Sequence, residues 1–225
     1  MRGYGQYCPI ARGAEIFATR WTPIIVRNLV LGCQTFGEIQ AGAPGIPRSV
    51  LTQRLRQLEL YSLVERLPNP HGRGFVYQLT AAGEELRDVC FALGTWGARW
   101  LEVAREALDA GVVLWSMCRL MEQDPERLPE ERVVIRFKLN DVPKKRYWVV
   151  LRRPEAEVCM KPPGFEEDLI MTTDSEWLAK WHMGSLPLGQ AMRQRLITIE
   201  GPRELVRAFS GWGGLSPFKD VQPVH

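Results

Sequence analysis

Thr35-Phe-Gly-Glu-Ile39, Gly42-Ala-Pro-Gly45 and Ile46-Pro47-Arg48-Ser-Val-Leu-Thr-Gln-Arg-Leu-Arg-Gln-Leu-Glu-Leu60 form the stretch that decides the fold of this 225-residue chain. The first segment opens a short helix, and the glycine and proline cluster closes it. The last segment spaces Val50, Leu51, Leu55, Leu58 and, a turn later, Leu63 as one apolar stripe. Its opposite face carries Arg48, Ser49, Thr52, Gln53 and Arg56. A short helix, a tight turn and a second helix with a polar, basic free face describe a helix-turn-helix.

Upstream, Ile16, Phe17, Ile24, Ile25, Leu29 and Val30 recur at helical spacing between Ala11 and Leu31. Thr22-Pro23 punctuates the run into two helices, with Thr22 expected as the N-cap and Pro23 at the first helical position. Downstream, Leu63–Leu67 and Phe75–Leu79 read as strands joined by Pro68-Asn-Pro-His-Gly-Arg-Gly74, a hairpin whose tip exposes His71 and Arg73 among glycines. Such a wing lets a guanidinium approach phosphate or the minor groove, while the second helix fits the major groove. Thr80-Ala-Ala-Gly-Glu84 then resembles a capped start, expected to run as one helix to about Leu108. Along it Leu86, Val89, Cys90, Leu93, Trp96, Gly97, Trp100, Leu101 and Ala104 form a seam at spacings of three and four. The seam either packs on its own domain or dimerises; its length favours a dimer, built on Leu86, Leu93, Trp96 and Trp100.

The composition shifts at Asp109-Ala-Gly111. A helix at Val112–Met121 and a breaker-rich connection, 123–129, lead to strand-like runs at Val133–Leu139, Tyr147–Leu151, Ala156–Met160 and Leu169–Thr172. Helices at Asp174–Trp181 and Leu188–Arg195, a strand at Leu196–Glu200 and a helix at Pro202–Phe209 complete the pattern. The fold class is α+β: a winged helix-turn-helix domain over residues 1–110 and a five-stranded α+β domain over 111–225.

Composition narrows the function. An apolar fraction of 45% and a charged fraction of 24% are ordinary for folded domains, which excludes a disordered or fibrous chain. No uncharged apolar run reaches the ~18–20 residues of a spanning helix, and Met1-Arg2-Gly3 opens no leader-like segment; the expected setting is cytoplasmic, without a membrane partner. The net charge of +3 conceals a gradient: residues 1–83 hold nine arginines against four glutamates, and all six lysines lie at or beyond Lys138. Arginine suits bidentate phosphate and guanine contacts, and much of this excess falls on the second helix and the wing.

Catalysis and cofactors find no support. The five cysteines form no CxxC pair, and three histidines assemble no zinc spacing, so neither a metal nor a disulfide scaffold is expected. Cys90, Cys118 and Cys159 sit among apolar neighbours as small core residues. Glu166-Glu-Asp168 reads as a solvated loop and His182 as a packed histidine. No dinucleotide, nucleophile-elbow or P-loop pattern occurs. The chain is read as a non-enzyme binding no cofactor.

A family resemblance rests on these residues: Cys8-Pro-Ile-Ala, Arg20-Trp21-Thr22, Ile25, Leu29, Phe36-Gly-Glu-Ile, Gly45-Ile, Val50-Leu-Thr-Gln-Arg-Leu-Arg-Gln-Leu58, Leu63-Val-Glu-Arg66 and Tyr77-Gln-Leu-Thr-Ala-Ala-Gly83. Over about residues 7–105 they resemble the HxlR family of winged-helix transcriptional regulators, within the MarR-like superfamily. The resemblance implies a homodimer that binds double-stranded DNA and dimerises through its amino-terminal segment and last long helix. Cys8 falls on the family's amino-terminal cysteine, a redox sensor in some members. Sensing needs an accessible thiolate, which a helix start and Arg12 one turn on would favour; a buried small residue is the simpler account.

Residues 111–213 resemble, more diffusely, a sterol-carrier-protein-2-like domain, on the hairpin of its first two strands, Asp168-Leu-Ile-Met-Thr-Thr-Asp174 and Leu196-Ile-Thr-Ile-Glu-Gly-Pro202. Such domains enclose an apolar tunnel for a small-molecule ligand. Trp148, Met160, Met171, Trp177, Trp181, Met183 and Trp212 are candidates to line one, although core filling explains them with less. The resulting reading is a transcriptional regulator modulated by a small molecule or a redox signal. The competing one is a lipid- or small-molecule-binding protein that uses its winged helix for dimerisation or protein contacts.

Overall fold

The structure, a computed structural model, describes residues 3–102 and 108–224. The chain divides into two compact units, Met1–Gly94 and Thr95–His225.

The first unit opens with α1 (Pro9–Phe17) and α2 (Thr22–Val30). Trp21, in the left-handed region at φ 78°, is the N-cap of α2. The Thr22 hydroxyl pairs with that of Thr19 at 2.7 Å, so Thr22 enters the first turn and the expected cap shifts by one residue. In α3 (Phe36–Ala41) the Thr35 side chain accepts from the Glu38 backbone N–H while Glu38 accepts from that of Thr35, a closed capping box. Then α4 (Arg48–Leu60) buries Leu51, Leu55 and Leu58; Val50 and Leu63, expected on that stripe, are only half-buried. Strands β1 (Val64–Pro68) and β2 (Phe75–Leu79) pair antiparallel with Leu67 opposite Val76.

The long helix expected from Thr80 is two helices. Thr80 caps α5 (Ala81–Glu84) by accepting from Gly83 N–H, and α6 (Leu86–Trp100) follows after a break at Glu85. A side chain on Gly83 would place its Cβ 2.0 Å from Leu63 O. The first turn is thus pinned against the strand junction, and the break is the single residue Glu85, whose backbone stays in the right-handed helical region. Ala104, expected on the same seam, lies outside the described residues.

In the second unit α7 (Ala110–Met121) precedes strands β3 (Val133–Leu139), β4 (Tyr147–Arg152), β5 (Glu155–Cys159), β6 (Leu169–Thr173) and β7 (Ile197–Glu200), with helices α8 (Ser175–His182), α9 (Leu188–Arg193) and α10 (Arg203–Phe209). The five strands form one sheet in the order β5-β4-β3-β6-β7, with β3 and β6 parallel and every other neighbour antiparallel. Alternation along β3 sends Val133, Ile135, Phe137 and Leu139 to one face. There they pack with Leu114, Met117 and Cys118 of α7, Leu178 and Trp181 of α8, and Phe209 of α10.

Candidate nucleic-acid interface

The helix-turn-helix is held from beneath by two side chains of α2. Buried Asn28 donates through Nδ2 to Ile39 O at 2.8 Å. Arg27 donates to Asn28 Oδ1 at 2.7 Å and to Gly42 O at 2.5 Å. Both carbonyls lie at the end of α3, so the turn before α4 is fixed by charge-assisted and buried hydrogen bonds. The α4 stripe, sealed by Leu51, Leu55 and Leu58, then fixes which face points outward.

On that face Arg48, Ser49, Gln53 and Arg56 are exposed and Thr52 is half-buried. Their states differ. The Arg48 guanidinium stands 4.8 Å from the Phe36 ring centroid and its Nη1 donates to Gln40 Oε1 at 3.4 Å, so Arg48 is ordered against α3. The Thr52 hydroxyl donates to Arg48 O at 2.9 Å and keeps only acceptor capacity. Ser49, Gln53 and Arg56 make no side-chain hydrogen bond among the described residues.

The wing is tied to the same helix pair. Tyr77 N–H donates to Gln34 O at 2.8 Å, and Thr35 bridges Val76 across the start of α3. At its tip Asn69 N–H donates to Gly74 O, the Asn69 side chain accepts from His71 N–H at 2.9 Å, and Gly74 lies at φ 100°. Only glycine takes that conformation at no cost. His71 and Arg73 project from this closed turn, both exposed. Lower on the hairpin, the Arg66 guanidinium stacks 3.5 Å from the Phe75 ring centroid. Local sequence pattern carries no sign of that pair, since the two residues meet only through the strand register.

The remaining candidates are more scattered. Cys8 is the N-cap residue of α1, half-buried, and its carbonyl accepts from Arg12 N–H. Cys33 and Cys118 are buried, while Cys90 and Cys159, expected in the core, are half-buried. Burial pushes the Cys90 thiol up to about 11 against an opposing pull from Arg27, and raises Cys118 further. Along α6, Leu93 is 49%, Trp96 54% and Trp100 51% exposed, Leu86 is half-buried, and no residue of the helix is buried.

The proposed tunnel residues do not converge. Met171 pairs with Phe137 on the helix-covered face of the sheet, whereas Trp148 pairs with Arg136 on the other, so the two cannot line one space. Met160 is 74% exposed just beyond β5 and lines no interior. Trp181 packs on Phe209 at 5.3 Å and Trp212 on Phe209 at 5.7 Å, as core; Trp177 and Met183 are half-buried. The 166–168 run is a loop in which Glu166 is exposed, as expected, while Glu167 and Asp168 are half-buried. Glu167 accepts from Trp148 Nε1 at 2.9 Å and pairs with Arg136, and Asp168 accepts from Val134 N–H at 2.7 Å. Among the described residues no group of three or more His, Cys, Asp or Glu gathers as a metal site, and no helix is long and apolar enough to cross a membrane.

Residues 16–105 match the family model described as HxlR-like helix-turn-helix. The chain is 34% identical over 99 residues, 44% of its length and 73% of the relative's, to the HTH-type transcriptional regulator sll1512 of Synechocystis sp.. It is 33% identical over 100 residues, 43% of its length and 92% of the relative's, to the HTH-type transcriptional regulator YvaP of Bacillus subtilis. Among solved structures, the ubiquinone synthesis protein UbiJ-SCP2 is similar at 14% identity and a TM-score of 0.32, over 56% of this chain and 93% of that one.

Proposed function

The chain belongs to the HxlR-like helix-turn-helix family, and from that premise we propose that it is a sequence-specific, homodimeric DNA-binding transcriptional regulator and not an enzyme. One observation carries the reading: the buried stripe of α4 turns Ser49, Gln53 and Arg56 outward with no side-chain hydrogen bond among the described residues, beside a wing that presents His71 and Arg73. In this reading Gln53, Arg56 and Arg48 reach base edges in the major groove, Ser49 donates to phosphate or a base edge, Thr52 accepts from a base donor, and the wing tip meets the neighbouring backbone or minor groove. Residues 1–110 bind DNA and dimerise. Residues 111–225 form the second domain, for which a small apolar ligand is the proposed partner, and Cys8 is the candidate redox site.

Selection of bound genomic fragments by the purified chain tests the proposal. A two-fold-symmetric site, with affinity falling steeply as salt rises through counterion release, is the expected result. Absence of both specific and salt-sensitive binding would exclude a DNA regulator.

A further inference from the structure

Alternation along the five-stranded sheet sorts its charges by face. Lys138 of β3 lies opposite Thr172 of β6, and Thr172 lies opposite Thr198 of β7. Arg146 immediately precedes Tyr147, the partner of Phe137, and so stands on the Lys138 side of that pair. The four residues form one row, Arg146-Lys138-Thr172-Thr198, on the face that the helices leave uncovered. Lys138, Arg146 and the neighbouring turn residue Lys144 are exposed, and Thr172 and Thr198 are half-buried. None of the three cations makes an ion pair among the described residues, and neither threonine hydroxyl makes a hydrogen bond there. Their neighbours are engaged. Lys145 pairs with Asp109 on the helix side at 3.2 Å, Asp141 accepts from Ser175 N–H at 3.1 Å, and Arg136 pairs with Glu167. The carboxylates of the strands on the uncovered face sit in other rows: Glu155 opposite Arg152, Glu157 opposite Val150 and Glu200 opposite Ile170.

We infer that this row is a second contact surface for duplex DNA, holding the sugar-phosphate backbone that flanks the site read by α4 and the wing. Ammonium, guanidinium and hydroxyl groups are the side-chain chemistry that meets phosphate without reading sequence. At about 4.8 Å between strands the row is about 14 Å long, the axial distance over which one strand of B-DNA presents about four phosphates. The row itself holds no apolar side chain, which a surface that enters a bilayer or forms the core of a protein interface requires.

Exposed cations bind a polyanion weakly in free solution, because salt screens them and their long side chains must be ordered. Joined in one chain to a unit that holds DNA, the same groups act intramolecularly, and a weak contact then adds to affinity and lengthens the bound segment. The choice of DNA as the partner rests on the DNA-binding reading proposed above. On that reading the second domain shares in DNA binding through its uncovered sheet face.

The test measures binding of the full-length chain to two duplexes over a range of salt, one holding only the selected site and one extending it by about one and a half helical turns on each side. The wild type is expected to bind the long duplex about fivefold or more tightly than the short one. Arg146→Gln should lower the salt slope on the long duplex by about one unit, and Lys138→Gln combined with Arg146→Gln by about two, abolishing the gain from the flanks. Binding to the short duplex should be unchanged in both variants, and both should melt as the wild type does, since the substituted side chains are exposed. Lys145→Gln removes a charge from the same turn on the helix side and should leave gain and slope intact. Equal affinity of the wild type for the two duplexes overturns the proposal, as does a gain that survives the double substitution. A slope lowered as much by Lys145→Gln as by Arg146→Gln also overturns it, because net charge then explains the effect. Retention of the chain on phosphatidylserine vesicles, lost in the double variant and without a gain from flanking DNA, assigns the row to a lipid surface and overturns the proposal. A wild type that binds the short duplex without the gain removes this proposal alone, whereas one that binds neither duplex removes the DNA-binding reading and this proposal with it.

Discussion

Gly83 sits so close to Leu63 that a Cβ on it would come within 2.0 Å of the Leu63 carbonyl oxygen. The approach is closed from two further sides: Thr80 N–H donates to Leu63 O at 3.1 Å, and the Thr80 hydroxyl donates to Ser62 O at 2.7 Å while accepting from Gly83 N–H. The Thr80-Ala-Ala-Gly83 segment is thus the clamp between the wing and the helix that follows.

Gly83→Ala separates this clamp from ordinary helix propensity. In a free helix alanine would stabilise by ~1 kcal/mol. Here the added methyl meets backbone, which has no rotamer to escape into, and the expected outcome is a loss of ~1–3 kcal/mol or more. Urea unfolding of wild type and variant reads the sign directly; a variant as stable as wild type would mean that the junction opens freely.

On α4 and the wing the expected losses differ in kind. Arg56→Ala and Gln53→Ala remove groups with no side-chain hydrogen bond among the described residues and should cost ~1–3 kcal/mol on a selected site, with relaxed preference at one base position. Arg73→Ala should weaken all sequences alike and reduce the salt slope by about one unit. Binding isotherms at several salt concentrations on selected and scrambled duplexes check both, and a uniform loss for Gln53→Ala would exclude base readout by that residue.

How far these sites can be read from sequence depends on where their partners lie. The outward face of α4 is legible because its buried stripe is local: Leu51, Leu55 and Leu58 fix it within one helix. The hairpin is legible for the same reason. By contrast, Glu167 and Asp168 look solvated until β3 and β4 bring Arg136, Val134 and Trp148 to them across tens of residues. Met171 and Trp148 look like one lining until strand register puts them on opposite faces of the sheet. Nothing in the local pattern distinguishes one long helix from α5 and α6, because the break is a single residue, Glu85, whose backbone stays in the right-handed helical region.

The α6 face predicts assembly. Leu93, Trp96 and Trp100 expose about half their surface on one helix, and an aromatic side chain can bury 150–250 Å². Trp96→Asp combined with Trp100→Asp is expected to turn a dimer into a monomer in light scattering, while secondary structure persists because neither side chain is buried in the single chain. A double variant that still runs as a dimer would move the interface away from α6.

His182 supplies a pH dependence whose sign follows from burial. The side chain is 7% exposed, its Nδ1 is 2.8 Å from Gly214 O, and Ser216 N–H donates to its carbonyl, so the imidazole fastens residues 214–216 to α8. Burial lowers its pKa below 6.5, opposed by the hydrogen bond to Gly214. The Nδ1–H of a neutral ring donates to that carbonyl, and no carboxylate is among the groups that shift it. The unfolded chain therefore takes up a proton near pH 6.5 that the folded chain still refuses. Stability from this residue is complete above pH 6.5 and is lost as pH falls toward the depressed folded value, by at most ~1.4 kcal/mol per pH unit. His182→Gln can keep a donor to Gly214 O but cannot titrate. Thermal melts of wild type and His182→Gln between pH 7.5 and 5.5 should diverge, with the wild-type melting temperature falling faster on acidification. Parallel pH profiles would show that the ring is protonated in the folded chain or that residues 214–216 release it before unfolding.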